Sequence, residues 1–600
     1  MFPKVKHILF WLLCILCVSF VVVLNTQSTE IIDRFYKEGR FDILNHLSAV
    51  QGDQPLDYYL GKIEDVCLGP VTNFTCHIFF ALFGLLYLRA ASAKFFCFSV
   101  FIFLVISKFH VLFYPPYGDA VGGPFAEALW LSQHHFDYVG LYHQTGYQFG
   151  GPKVYMFSIY PTYLALLLSW IPQTVAFFVI NHLIVYFITA VVVTLIRSLT
   201  LKIFDPATAL LSSMVVLTLP LFQSQTEAIN MEMPCLFFSM LSLYDLSNRK
   251  MGRASLWAIA AVLVKGHGLV MCATVAAVTA LLFCFDPKVK GNGKMLLPGM
   301  AVVIVGVFMV FSKFLIKDQH ASAGMIHLFA GWPSLKGMFL PYLYLASVVV
   351  FAGSIWKEQG GRFKDSVKAL FTPYFIQTVV MIAAGMWFAL FLNFIAVSPR
   401  YKLELAPFLV LSLIFAVMKL SMMRHLAPLL LFISVGISSL ASYGLLERPL
   451  KANYHVLLER SLEYRNDLKL NRRLARLLEE KYKGYTIGAP FIVAQMLAFP
   501  ELGYVQSPLD VVVYGMPITY GNIKKFDGLK KMDIMKTIWV GMSADFFSNG
   551  DFTYPINRYD KVIENLMFGD NKVVLFMGGV AIEQKRYIIQ QLEKKARQAI

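Results

Sequence analysis

Several short stretches of this chain carry residue types able to do chemistry beside long apolar runs. The first reads Tyr114-Pro-Pro-Tyr-Gly-Asp119-Ala-Val-Gly-Gly-Pro-Phe-Ala-Glu127 and continues through His134, His135 and Asp137 to Gly150-Gly151-Pro152. A carboxylate held after a glycine at the mouth of a helix can take the proton of an incoming nucleophile, which makes Asp119 a candidate general base. Its plainer role would be to cap a helix that begins near Pro124. The second stretch, Glu227-Ala-Ile-Asn230-Met-Glu232-Met-Pro234, puts two carboxylates where one helix ends and the next begins. They are either solvated at an interface or, for Glu232, part of an anionic or metal-binding wall. The third is Lys265-Gly266-His267-Gly268, a charge inside an apolar stretch. Such a charge implies a function or a specific partner, with snorkelling to the interface as the alternative. The fourth is Ser398-Pro399-Arg400-Tyr401-Lys402. Arg400 is suited to clamp a phosphate through paired donors, or else to anchor a helix at the interface together with Tyr401. His134 and His135 are weak candidates for a metal site, with His143, His320 and His327. Their spacings match no standard site, and solvated loop histidines are the plainer reading.

The elements that must position these residues are membrane helices. The 600 residues are 57% hydrophobic and 15% charged, where a soluble protein has about 25% charged residues. Charge-free runs such as 301–311, 408–415 and 427–437 must satisfy their own backbone in lipid and are therefore expected to be helical. Candidate spans are 8–24, 76–91, 95–113, 154–171, 174–196, 207–222, 233–246, 254–284, 296–315, 338–355, 370–397, 403–419 and 425–444. The predicted fold class is an α-helical polytopic membrane protein of about 11 to 14 transmembrane helices with a small C-terminal α/β soluble domain. The transmembrane domain is taken as 1–446 and the soluble one as 447–600.

Basic residues at 249–253, 288–294, 357–368 and 419–424 mark cytoplasmic loops. The segments 25–75, 114–153, 223–232, 316–337 and 398–402, and the C-terminal domain, then fall on the outer face. One conflict of parity follows. From the loop 114–153 to the basic stretch 197–202 the chain should cross an odd number of times, yet 154–171 and 174–196 make two segments. The stretch 254–284 is too long for one upright span and is expected to be two helices meeting at Lys265. In the C-terminal region, 453–482 is helical in pattern. Short β-like runs follow at 485–487, 511–514, 537–540 and 573–576, and then a polar helix at 581–598.

The N-terminal run, 8–24, follows Lys4 and Lys6 and is of membrane length, so it is expected to be a retained signal anchor. Cys67 and Cys76 lie in a polar segment where a disulfide would form if that segment faces an oxidising compartment. Asn73-Phe74-Thr75 fits a glycosylation acceptor. The net charge of +16 belongs to the basic loops, and no nucleic-acid reading motif or nucleotide loop accompanies it.

The order of these features resembles the GT-C superfamily of membrane glycosyltransferases, in particular the protein O-mannosyltransferase and aminoarabinose lipid A transferase branch. The stretches that carry the resemblance are Glu232-Met-Pro-Cys-Leu-Phe-Phe-Ser-Met-Leu-Ser-Leu-Tyr244 and Ala260-Ala-Val-Leu-Val-Lys265-Gly266. It covers residues 95–420, roughly. The resemblance implies a sugar donor on a polyprenyl phosphate and a site facing the periplasm or the endoplasmic reticulum lumen. Asp119 would activate the acceptor, Glu232 would stand where the family has Asp, and Lys265, Arg400 and Tyr401 would meet the donor phosphate. Where the family reads Asp-Glu this chain has Asp119-Ala120, so Glu127 is the candidate for the second acid. The acceptor would be a lipid, a glycan or a protein. No cofactor is required, and a divalent metal is compatible with the chemistry. Compact loops favour a bacterial inner membrane over the endoplasmic reticulum. The alternatives are a flippase or transporter of lipid-linked glycans, which could bind the same phosphate without chemistry, and a noncatalytic membrane assembly protein.

Overall fold

The computed structural model describes residues 30–41, 43–44, 56–143, 159–171, 174–286, 297–315, 339–393, 403–419, 425–442, 461–462, 464–514, 537–542, 560–568 and 571–578, with isolated positions 19, 23 and 27. Most of the expected anchor at 8–24, the polar helix at 581–598, and Arg400 with Tyr401 lie outside these residues.

Helices form the bulk of the described residues, and the chain is an integral membrane protein. Among the described residues, Gly69–Leu88, Thr174–Leu201 and Gly266–Phe285 are each long and apolar enough to cross a membrane. Two bent pairs raise that number to five: Pro206–Thr218 with Pro220–Glu227, bent by 63°, and Phe363–Phe371 with Phe375–Ala389, bent by 87°. Six shorter apolar helices lie beside them. The first bend has a local cause. Pro220 opens the second helix and cannot donate to the turn before it, while the first helix begins at Pro206 with Asp205 accepting from the N–H groups of Ala207 and Thr208.

Of the two segments in the parity conflict, Ile159–Trp170 has 12 described residues, and positions 154–158 of its expected span lie outside the described ones. It packs against Pro124–Gln133, while Thr174–Leu201, with 28 residues, is long and apolar enough to cross a membrane. That long helix carries Arg197, expected in a basic loop but only 2% exposed. Its guanidinium donates to the carbonyls of Leu88, Arg89 and Ala91 at 3.0 to 3.1 Å and lies over the ring of Phe96. It thus satisfies the end of the helix that closes at Leu88.

The expected polar loop ahead of residue 76 is helical from Leu56. Cys67 and Cys76 both lie on this helical run and are not bonded to each other. Nine residues of helix hold them about 13 Å apart, beyond the reach of a disulfide. The Asn73 side chain donates to Ser439 O at 3.0 Å and Ser442 Oγ at 2.9 Å, tying this helix to Ala427–Ala441. The sequon is therefore engaged in helix packing and is no acceptor for a glycan.

In the C-terminal region the helix Tyr464–Lys481 leads to a five-stranded sheet. Its strands are β1 (Thr486–Pro490), β2 (Val511–Tyr514), β3 (Thr537–Met542), β4 (Asp560–Phe568) and β5 (Asn571–Gly578), in the order β2-β1-β3-β5-β4. β1 runs parallel to β2 and β3, and β5 pairs antiparallel with β3 and β4. β4, DKVIENLMF, was not among the expected strands because most of its first half is polar. One apolar core joins this sheet, through Leu474, Leu478, Ile487 and Ile538, to the rings of Phe125, Tyr160 and Phe177 in the helical bundle.

Candidate functional site

Lys265 occupies a break in the backbone between the helices Met251–Val264 and Leu269–Phe285, bridged by one turn at Gly266–Gly268. The break requires glycine at its far side. A Cβ on Gly268 would come within 2.3 Å of the Ala261 carbonyl carbon and 2.4 Å of the Val262 nitrogen. The turn therefore folds back onto the last coil of the preceding helix, and Lys265 is turned inward at 8% exposure. Its Nζ donates to Glu232 Oε1 at 3.0 Å and to Glu404 Oε1 at 3.2 Å. His267 Nδ1 lies 3.8 Å from the same Glu404 oxygen. Glu232 opens the helix Glu232–Ser247, where a carboxylate is favoured by the helix dipole. Glu404 is fully buried beside the start of Ala406–Val417, and its Oε2 has no hydrogen-bond partner among the described residues.

A second charged centre lies at Glu227, the last residue of Pro220–Glu227. Its carboxylate accepts from Arg465 Nε at 2.9 Å, Arg465 Nη2 at 2.6 Å and Tyr464 Oη at 2.9 Å, and also from Lys108 Nζ. Every one of these groups is buried. Burial, and the Glu227 charge beside it, push the Tyr464 phenol well above its ordinary range, so it stays a donor. The reading of residues 227 and 232 as interfacial solvation fails for both, since each is 2% exposed.

The stretch bearing Asp119 passes beside the Glu227 centre and packs on the C-terminal region. Asp119 opens the short helix Asp119–Gly122, and Gly123 stands at the N-cap of Pro124–Gln133 with no side-chain bond. Asp119 is thus not the cap of the longer helix. Tyr117 Oη donates to Asp467 at 3.0 Å, and Tyr504 Oη donates to the Pro116 carbonyl at 2.9 Å. Burial raises the Tyr504 phenol too. The helix Phe491–Ala498 packs against Asp119–Gly122. His182, on the long helix Thr174–Leu201, donates from Nε2 to the Tyr114 carbonyl at 3.1 Å. Glu127 is buried on Pro124–Gln133. The His134 ring stacks on Trp130 with centroids 4.1 Å apart, and its Nδ1 meets the Trp130 carbonyl at 2.9 Å. His135 has a left-handed backbone, φ 51°. Among the described residues no group of three or more His, Cys, Asp or Glu side chains is placed to hold a metal ion.

Glu232 and Lys265 are therefore in contact, and Asp119 is seated by the C-terminal region. Glu404, Lys108 and Arg465 were not anticipated. Lys108 left a signal as the single charge of the expected span 95–113, and Glu404 as the single acidic residue of 403–419.

No protein-family model matches this sequence, and no curated protein matches it. Solved structures similar in fold include the crystal structure of ArnT from Cupriavidus metallidurans bound to undecaprenyl phosphate. Its TM-score is 0.44 at 12% identity, over 79% of this chain and 97% of that one. The apo state of the same protein aligns at a TM-score of 0.43 and 11% identity, over 80% of this chain and 98% of that one.

Proposed function

We propose that this chain is an integral membrane glycosyltransferase of the GT-C type. It moves a sugar from a polyprenyl-phosphate donor to a lipid, glycan or protein acceptor at the outer face of a bacterial inner membrane. The observation that carries the proposal is the buried Glu232–Lys265–Glu404 cluster at a helix break. Taking such charges out of water costs several kcal/mol per ion, and apolar residues would hold helices together at least as well. A charge set retained inside a membrane bundle is best explained by chemistry.

In this reading the acceptor hydroxyl attacks the anomeric carbon while the carbon–oxygen bond to the carrier phosphate breaks. Asp119 takes the acceptor proton and the phosphate leaves with the electron pair. Lys265 and Arg400, with Tyr401, stabilise the charge that develops on that phosphate. Glu232 and Glu404 orient the Lys265 ammonium, and Glu127 is the second acid of the loop. The C-terminal domain, 447–600, closes the site from the same side.

The test is transfer of radiolabelled sugar from a polyprenyl-phosphate donor by the purified protein in nanodiscs. Expected are label on an acceptor of one of the three classes, and its loss in Asp119→Asn at unchanged protein yield. Arg400→Ala should raise the donor KM. Movement of the labelled lipid across a vesicle bilayer without any transfer would replace this proposal with the transporter reading. Neither transfer nor movement would leave the assembly reading.

A further inference from the structure

The helix Glu232–Ser247 starts at the Lys265 cluster and ends at Asn248. Its 16 residues rise about 24 Å, so Asn248 marks the opposite end of the bundle. A cavity of about 270 Å³ opens there, with Lys202, Phe204, Tyr374, Gln377 and Lys419 among its walls. At about 30 Å³ per molecule of liquid water, it has room for more than a bridging solvent molecule.

Three observations define what this cavity would take. The first is charge. Lys202 donates to the neutral amide of Asn248 and lies 4.6 Å from the centre of the Tyr244 ring. Lys419 lies 3.8 Å from the centre of the Tyr374 ring and is shared with Glu358 at 2.9 Å. The second is an unmet need. Gln377 lines the cavity at 5% exposure, and its Oε1 has no hydrogen-bond partner among the described residues. A buried carbonyl oxygen without a donor is costly, and a ligand that brings one removes the cost. The third is depth. The cavity lies at the 87° bend between Phe363–Phe371 and Phe375–Ala389. Lys364 and Lys368 sit on the first of these helices with Phe363 and Val367, an amphipathic pattern that lies along a membrane surface. The second helix opens at the cavity, where its first N–H groups favour an anion.

We infer that this cavity is a binding site for a phosphodiester headgroup that carries a hydrogen-bond donor. The phosphate lies between Lys202 and Lys419, and the headgroup amine or hydroxyl donates to Gln377 Oε1. The site is separate from the proposed transfer chemistry and does not depend on it.

The experiment uses delipidated full-length protein in detergent and native mass spectrometry with phosphatidylethanolamine and phosphatidylcholine. These lipids share net charge and differ in headgroup donors. The expected result is tighter binding of phosphatidylethanolamine, a preference abolished by Gln377→Leu. Lys202→Gln with Lys419→Gln should weaken both lipids about tenfold. Glycerol 3-phosphate is added as competitor: displacement traces recognition to the phosphate itself, and none traces it to the intact lipid. Thermal melts of the variants serve as the folding control. Equal binding of the two lipids, unchanged by all three substitutions, would overturn the inference.

Discussion

Arg465, on the first helix of the C-terminal region, closes on Glu227 of the helical bundle through two hydrogen bonds of 2.9 and 2.6 Å. Lys108 and Tyr464 reach the same carboxylate from opposite sides of the contact. A fork-on-carboxylate pair has fixed geometry, so it sets the register of the two parts as well as holding them together. Around it, Lys469 pairs with Glu64 and Arg473 with Asp57. Those outer pairs are partly exposed and contribute little each.

Removal of Glu227 leaves two buried cations without their shared anion. Glu227→Ala is therefore expected to cost about 3–5 kcal/mol. Arg465→Met should cost less, because Lys108 and Tyr464 still occupy the carboxylate. Thermal unfolding in detergent reads both. A Glu227→Ala melt indistinguishable from the unsubstituted protein would refute the clasp.

Gly268 makes a sharper test of the break at Lys265. A methyl group there meets backbone on the Ala261–Val262 peptide, which has no rotamer to yield. Gly268→Ala should open the turn, lower the melting temperature and expose Lys265 to amine-reactive reagents. Gly252, where a Cβ meets nothing within 4 Å, is the control, and Gly252→Ala should be neutral. Equal behaviour of the two variants would count against the close approach.

The amino-acid pattern announced some of this and hid the rest, for physical reasons. Lys265 was legible because glycines follow a charge inside an apolar run, and the break lies there. Glu404 and Lys108 stand in similar runs but were absorbed into the spans 403–419 and 95–113, since one charge barely alters the mean hydropathy of a helix. Arg465 was illegible: its helix carries many charges, and only tertiary contact selects the one that is buried. Asn73 was misread because a three-residue pattern carries no information about helix packing.

The Glu232–Lys265–Glu404 cluster allows structure and chemistry to be separated. Lys265→Met leaves two buried carboxylates without their cation and should both destabilise the protein and end transfer. Adding Glu404→Leu removes one orphan charge and should recover part of the melting temperature, because apolar replacements of buried ions are often neutral or better. Transfer should stay absent in the double variant. Recovery of activity along with stability would mean that Lys265 is only a structural ion.

The last prediction concerns the seat of Asp119. Tyr504 holds the Pro116 carbonyl and Asp467 accepts from Tyr117, so both ties act within three residues of the proposed base. Each is an ordinary hydrogen bond, worth about 1 kcal/mol, and the chain should fold without either. Tyr504→Phe combined with Tyr117→Phe should therefore speed hydrogen exchange in peptides covering 114–123. Exchange in Ala93–Ser107 should be unaffected. If Asp119 is the base, kcat should fall by one to two orders of magnitude, because a small misplacement of a catalytic group is costly, while the donor KM stays near its original value. Faster exchange with unchanged kcat would keep the seat and remove Asp119 from the reaction. Unchanged exchange would show that the loop holds its shape without the C-terminal region.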